Sequence, residues 1–134
     1  MDILKKVEQY REKEEKLRWE GTFAEYLEIV KEKPWVAQSA HSRVYNMIKD
    51  AGFEEVGGRK RYKFFSNELF GLEEALERLV EEYFHPAAKR LDVRKRILLL
   101  MGPVSGGKST LVTMLKRGLE AYSRTERGAI YAIK

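Results

Sequence analysis

Cysteine is absent from the 134 residues, so the chain holds no disulfide, no thiolate metal site and no cysteine nucleophile. Histidine is almost as scarce. The two present, His41 and His85, are too few to build a zinc site alone. No apolar run approaches the roughly 20 residues needed to span a bilayer. The opening Met1-Asp-Ile-Leu-Lys-Lys also lacks the apolar stretch of a secretory signal, so a cytoplasmic chain without membrane attachment is expected. Charge of one sign does not dominate either. Lys and Arg total 26 against 21 Asp and Glu, a net of +5, which suits an anionic ligand but is too small to argue for nucleic acid. Many of these charges alternate, as from Arg11 to Arg18, in the manner of a solvated helix face.

What remains is 43% hydrophobic and 35% charged, the composition of a soluble globular domain. Residues 2 to 18 read as a helix with a thin stripe of Ile3, Leu4, Val7, Tyr10, Glu14 and Leu17, poorly endowed for a core and suited to docking on another surface or a partner helix. Thr22 with Glu25 forms a capping-box signature for a second helix, which Pro34 ends. Ser39 caps a third helix, with Val44, Met47 and Ile48 inward and Gly52 at its close. Gly57-Gly58-Arg59-Lys60 reads as a turn leading into a short strand over 61–65. A further helix is expected to open at Asn67 and to run roughly from Leu72 to Arg90, broken or kinked near His85 because Pro86 lies inside it. The aromatics Trp19, Phe23, Tyr26 and Trp35 are expected in a core or docking surface, His41 near a helix start, and the cluster Lys89-Arg90 with Arg94-Lys95-Arg96 at a solvated strand entrance.

The character then changes. Ile97-Leu-Leu-Leu-Met101 is a continuous apolar run ending in glycine, the pattern of a strand buried on both faces of a parallel sheet. A helix follows over 108–122, then a second buried strand over 129–133, which together make a βαβ unit. Between the first strand and the helix lies Gly102-Pro103-Val104-Ser105-Gly106-Gly107-Lys108-Ser109, which fits G-x-x-x-x-G-K-[ST] without mismatch. The chemistry explains each requirement. The glycines let the main chain close around an anion, the curled amides and the helix start supply positive potential, and Lys108 brings a mobile ammonium to the β- and γ-phosphates. Ser109 offers a hydroxyl to Mg²⁺, and Thr110 should lie beside the α-phosphate. A nucleotide, with Mg²⁺, is therefore the expected ligand. The fold class expected is α/β: a mostly helical region over 1–66, then, over 67–134, the start of a P-loop parallel sheet that stops after its second strand. Two strands cannot close such a domain, so the natural protein is expected to continue past Lys134, where a Walker B carboxylate, sensor residues and an arginine finger would lie.

The segments Glu68-Leu-Phe-Gly-Leu-Glu-Glu-Ala-Leu-Glu-Arg-Leu79, Tyr83-Phe-His-Pro-Ala-Ala-Lys89 and 95–110, with Trp19-Glu-Gly-Thr-Phe23 and Val36-Ala-Gln-Ser-Ala-His-Ser-Arg43 upstream, closely resemble the bacterial PrkA family along the whole chain. That resemblance implies an AAA+-type ATPase core, ATP and Mg²⁺ as ligands, a protein serine as the acceptor of the γ-phosphate, and a homo-oligomer, a hexamer by AAA+ analogy. It also implies an adenine-lining role for Phe70, Gly71 and Leu72. Two alternatives stay open: an AAA+ ATPase that hydrolyses ATP to remodel or degrade proteins, and a non-enzymatic helical docking module.

Overall fold

The computed structural model describes residues 2–89, 97–102 and 107–134. The chain divides into two compact units. One comprises the chain up to Gln38 together with Glu120–Lys134, and the other is Ser39–Leu119.

In the first unit, α1 (Ile3–Leu17) starts where the Asp2 side chain accepts from the Leu4 amide. Strand β1 (Trp19–Gly21) follows, then α2 (Phe23–Glu32). The capping box is formed in full: Thr22 Oγ1 accepts from the Glu25 amide at 3.3 Å, and Glu25 Oε2 accepts from the Thr22 amide at 2.7 Å. Those bonds to the carboxylate lower the Glu25 pKa, the Thr22 amide contributing most. Pro34 ends the helix by starting a 3-10 turn over Pro34–Ala37. At the other end of the chain β4 (Tyr131–Ile133) lies parallel to β1, with Trp19 opposite Tyr131 and Gly21 opposite Ile133. Trp19, Tyr26 and Tyr131 form a tilted aromatic cluster with centroids 5.5 to 6.3 Å apart, which covers one side of this short sheet.

In the second unit, α3 (Ala40–Asp50) opens where Ser39 Oγ accepts from the Ser42 amide. It buries Tyr45, Met47 and Ile48. Strands β2 (Phe53–Val56) and β3 (Arg59–Tyr62) form an antiparallel hairpin in which Phe53 pairs with Tyr62. Gly57 and Gly58, at φ 60° and 79°, occupy the two central turn positions, where positive φ matches the twist of the arms. The strand expected over 61–65 therefore starts earlier and ends at Tyr62, and a 3-10 turn takes Lys63–Phe65.

The long helix begins at Glu73, not at Asn67 or Leu72. It runs as α4 (Glu73–Arg78), a π-helical turn (Leu79–Phe84) and α5 (His85–Ala88). The expected disturbance by Pro86 appears as this widened turn just before it. A proline lacks the amide for an i−4 bond and its ring crowds that carbonyl, and wider winding relieves the crowding. Leu76, Val80, Phe84 and Ala87 are the buried residues of the helix, whose π-turn and α5 pack on α3. Glu81, in the π-turn, accepts from the Tyr62 hydroxyl and from Lys60 Nζ at 3.3 Å, while Glu77 accepts from the Lys60 amide at 3.2 Å. Burial tends to raise the Glu81 pKa, but the bonds from Tyr62 and Lys60 outweigh it and the net direction is down. Burial and that same bond drive the Tyr62 hydroxyl well above its ordinary value.

Helix α6 (Lys108–Ser123) forms where a helix was expected. The strand expected before it does not. Ile97–Leu100 adopt no strand pairing among the described residues, and Ile97, Leu99 and Met101 are 87%, 76% and 83% exposed. The reason is physical. A strand buries both faces only inside a sheet, and no described residue pairs with this one. The segment expected as the second buried strand exists as β4, but it joins β1 rather than 97–101, and Ala132 and Ile133 are exposed. Among the described residues the secondary structure is thus mixed helix and sheet with a short parallel pair, compatible with the start of an AAA-like domain.

Candidate nucleotide-binding site

The loop motif meets α6 at Gly107. Its φ of 82° lies in the left-handed region, where a side chain costs about 1–2 kcal/mol. Its carbonyl accepts from the Leu111 amide at 2.9 Å, so Gly107 acts as the N-cap of α6. Lys108, Ser109 and Thr110 then fill the first turn, where helical geometry gives their amides no intrahelical acceptor. An anion placed there meets those amides and the positive end of a 16-residue helix. Lys108 Nζ donates to the Gly102 carbonyl, so the ammonium is folded back across the mouth of the loop. Ser109 is exposed and Thr110 half-buried. Gly102 lies outside the positive-φ region, so its freedom of backbone angle is not what the loop uses at this end. Pro103, Val104, Ser105 and Gly106 lie outside the described residues.

The segment before α4 reaches the same place. A Cβ on Gly107 would stand 3.3 Å from Leu69 Cδ2 and 3.5 Å from Leu72 Cδ1, so both leucines pack on the glycine edge of the loop. An apolar cleft of about 640 Å³ extends from Gly102, Gly107 and Lys108 past Leu72 and Leu79 to Leu100 and Leu111. Of the three residues expected near adenine, Leu72 lines this cleft. Gly71 has φ 74° and open space around it, and Phe70 is 70% exposed and outside the lining. Composition alone did not single out Leu69, Leu98, Leu100 and Leu111 as part of the site. The spacing of the α4 region carried part of the signal, because Leu72, Leu76, Leu79 and Tyr83 line the cleft while Val80 and Phe84 are buried outside its lining.

The two histidines stand apart from the loop motif. His41 meets the ring of Tyr83 edge-on at 6.3 Å, and His85 packs beside Tyr45 at 5.3 Å. Among the described residues no group of three or more His, Cys, Asp or Glu is arranged to hold a metal, and no helix is long and apolar enough to cross a membrane.

Residues 21–134 match the family described as the PrkA AAA domain. The chain belongs to the PrkA family. Over all 134 residues it is 81% identical to a Bacillus subtilis protein named ATP-dependent protease PrkA. It is 84% identical over 97 residues to an uncharacterized protein in the gldA 5′ region of Geobacillus stearothermophilus, 72% of this chain and all of that one. A 56-residue stretch, 42% of the chain, is 48% identical to the Escherichia coli K12 serine/threonine kinase YeaG and covers 8% of it. The chain spans about a fifth of the length of the Bacillus subtilis PrkA it matches. No solved structure matches the chain.

Proposed function

We propose that this chain is the part of a PrkA protein that grips the triphosphate of Mg²⁺-ATP, and that the whole protein spends the γ-phosphate on work done to another protein. The observation that carries the reading is the junction at Gly107 and Lys108: a left-handed glycine caps a long helix, and the next side chain is a lysine held at the loop mouth. A phosphate fits this arrangement because it can accept from first-turn amides and from the ammonium together. Lys108 exchanges the Gly102 carbonyl for phosphate oxygens, a stronger, charge-assisted bond. Ser109 is the residue whose type and position suit Mg²⁺, which would neutralise charge on the β- and γ-phosphates. The apolar cleft beside Leu72 and Leu111 offers a dry surface for a base.

Two fates for the γ-phosphate remain, transfer to a protein serine or transfer to water with the energy driving protein degradation. The second is favoured by the likeness to the protein named as an ATP-dependent protease, which runs at 81% over the whole chain, whereas likeness to the protein named as a kinase covers 56 residues. Full-length protein incubated with γ-labelled ATP and an unfolded protein substrate separates them. Free phosphate with peptide release supports the degradative reading. Label on serine with the substrate chain intact supports the kinase. No nucleotide-dependent change of either kind overturns both.

A further inference from the structure

Helix α1 carries an apolar stripe that is exposed from Ile3 to Tyr10, while Leu17 at its far end is half-buried beside a cavity lined also by Ala121 and Arg124. It buries no residue, and Ile3, Leu4 and Tyr10 are 77%, 71% and 65% exposed. Ile3, Val7, Tyr10, Glu14 and Leu17 are spaced alternately by four and three, the seam of a two-heptad coiled coil. The positions flanking such a seam are Lys6 and Lys13 on one side and Leu4, Arg11 and Arg18 on the other. Every charged flanking residue is basic, while Glu8, Glu12 and Glu15 lie on the back of the helix. Lys6, Arg11 and Lys13 form no ion pair among the described residues.

This pattern selects the partner. A second copy of α1 would set like charges together in either orientation. In a parallel pair Lys6 meets Arg11 and Lys13 meets Arg18, and in an antiparallel pair lysine meets lysine and arginine meets arginine. A bilayer suits it poorly. Glu14 stands inside the seam, where it is ion-paired with Arg124 at 3.9 Å, and the glutamates behind it offset most of the pull toward anionic lipid. We infer that α1 is a docking helix for an acidic amphipathic α-helix, one whose own apolar seam is flanked by Asp or Glu.

The test uses full-length protein and two labelled helical peptides with leucine seams, one flanked by glutamate and one by lysine, read by fluorescence anisotropy. The glutamate peptide binds and weakens as salt rises, and the lysine peptide does not bind. In the exposed-residue variant Lys6→Glu/Arg11→Glu/Lys13→Glu the preference reverses, with affinity for the glutamate peptide down roughly tenfold or more as three attractive pairs become repulsive. Val7→Asp in the otherwise native chain abolishes binding of the glutamate peptide. Failure of the glutamate peptide to bind, or equal binding of both peptides, overturns the inference. So does sedimentation of the protein with phosphatidylglycerol vesicles, or a self-association that Val7→Asp disrupts.

Discussion

Replacing Gly107 with alanine tests the loop geometry directly. The residue sits at φ 82°. An L-residue there costs about 1–2 kcal/mol relative to glycine. The added methyl would also stand 3.3 Å from Leu69 Cδ2 and 3.5 Å from Leu72 Cδ1, a tight but not impossible fit that requires a shift of a few tenths of an ångström. The strain has two outlets. If the loop keeps its shape, the whole cost falls on stability, and thermal unfolding shifts down by a few degrees. If the backbone rotates to relieve it, the N-cap of α6 is lost and the gripping conformation becomes a minority state. A population shift of about 1.4 kcal/mol then weakens ATP binding about tenfold. Gly102→Ala is the matched control, because that glycine lacks positive φ and a Cβ there would meet nothing within 4 Å. Calorimetric titration of Mg²⁺-ATP into the full-length variants, beside thermal unfolding, reads both outlets. A Gly107→Ala protein that binds within twofold of the native protein and melts at the same temperature would refute the reasoning, as would an effect on melting equal to that of Gly102→Ala.

Lys108→Ala should abolish nucleotide-dependent phosphate release or transfer in the full-length protein, measured with γ-labelled ATP, while far-ultraviolet circular dichroism stays unchanged because alanine is a good residue for the start of α6. Thr22→Ala removes both the side-chain acceptor for the Glu25 amide and a hydroxyl donor to its carboxylate, and should cost about 1 kcal/mol in chemical denaturation. The Tyr62 hydroxyl has a folded-state pKa above its ordinary value near 10, so the folded protein holds a proton that the unfolded chain gives up. Stability is therefore complete below pH 10 and declines as pH rises through the alkaline range. Tyr62→Phe should flatten that decline in unfolding curves taken between neutral and alkaline pH. Glu81 shifts the other way, so its contribution is present above the ordinary carboxyl range and fades under acid, an effect that Glu81→Gln should remove.

Local chemistry was legible in the sequence and long-range pairing was not. Thr22, Ser39, Pro34 and the two glycines at 57 and 58 each did what their type dictates, because caps and tight turns are decided by a few neighbouring residues. The upstream hairpin arm, Phe53-Glu-Glu-Val56, escaped because two adjacent glutamates break the alternation that marks a strand. The pairing of β1 with β4 joins segments of three residues separated by most of the chain, too short to carry periodicity. Ile97–Met101 misled for the opposite reason: its composition is that of a buried strand, yet composition cannot supply the neighbours that bury it. At the candidate site, the motif located Gly107 and Lys108, but the leucines of the cleft come from three separate segments that only folding assembles.

The π-helical turn over Leu79–Phe84 sets the angular phase of everything after it. It absorbs what amounts to one surplus residue, so Phe84 and Ala87 stay aimed inward in line with Leu76 and Val80. Inserting a further residue between 79 and 83 would exceed what this turn absorbs and rotate the downstream half of the helix by about 100°. Phe84 would swing out of the interior, and Ser42, whose hydroxyl donates to the Ala88 carbonyl at 2.9 Å, would lose its acceptor. Added length in this stretch should consequently be tolerated less than a change of residue identity.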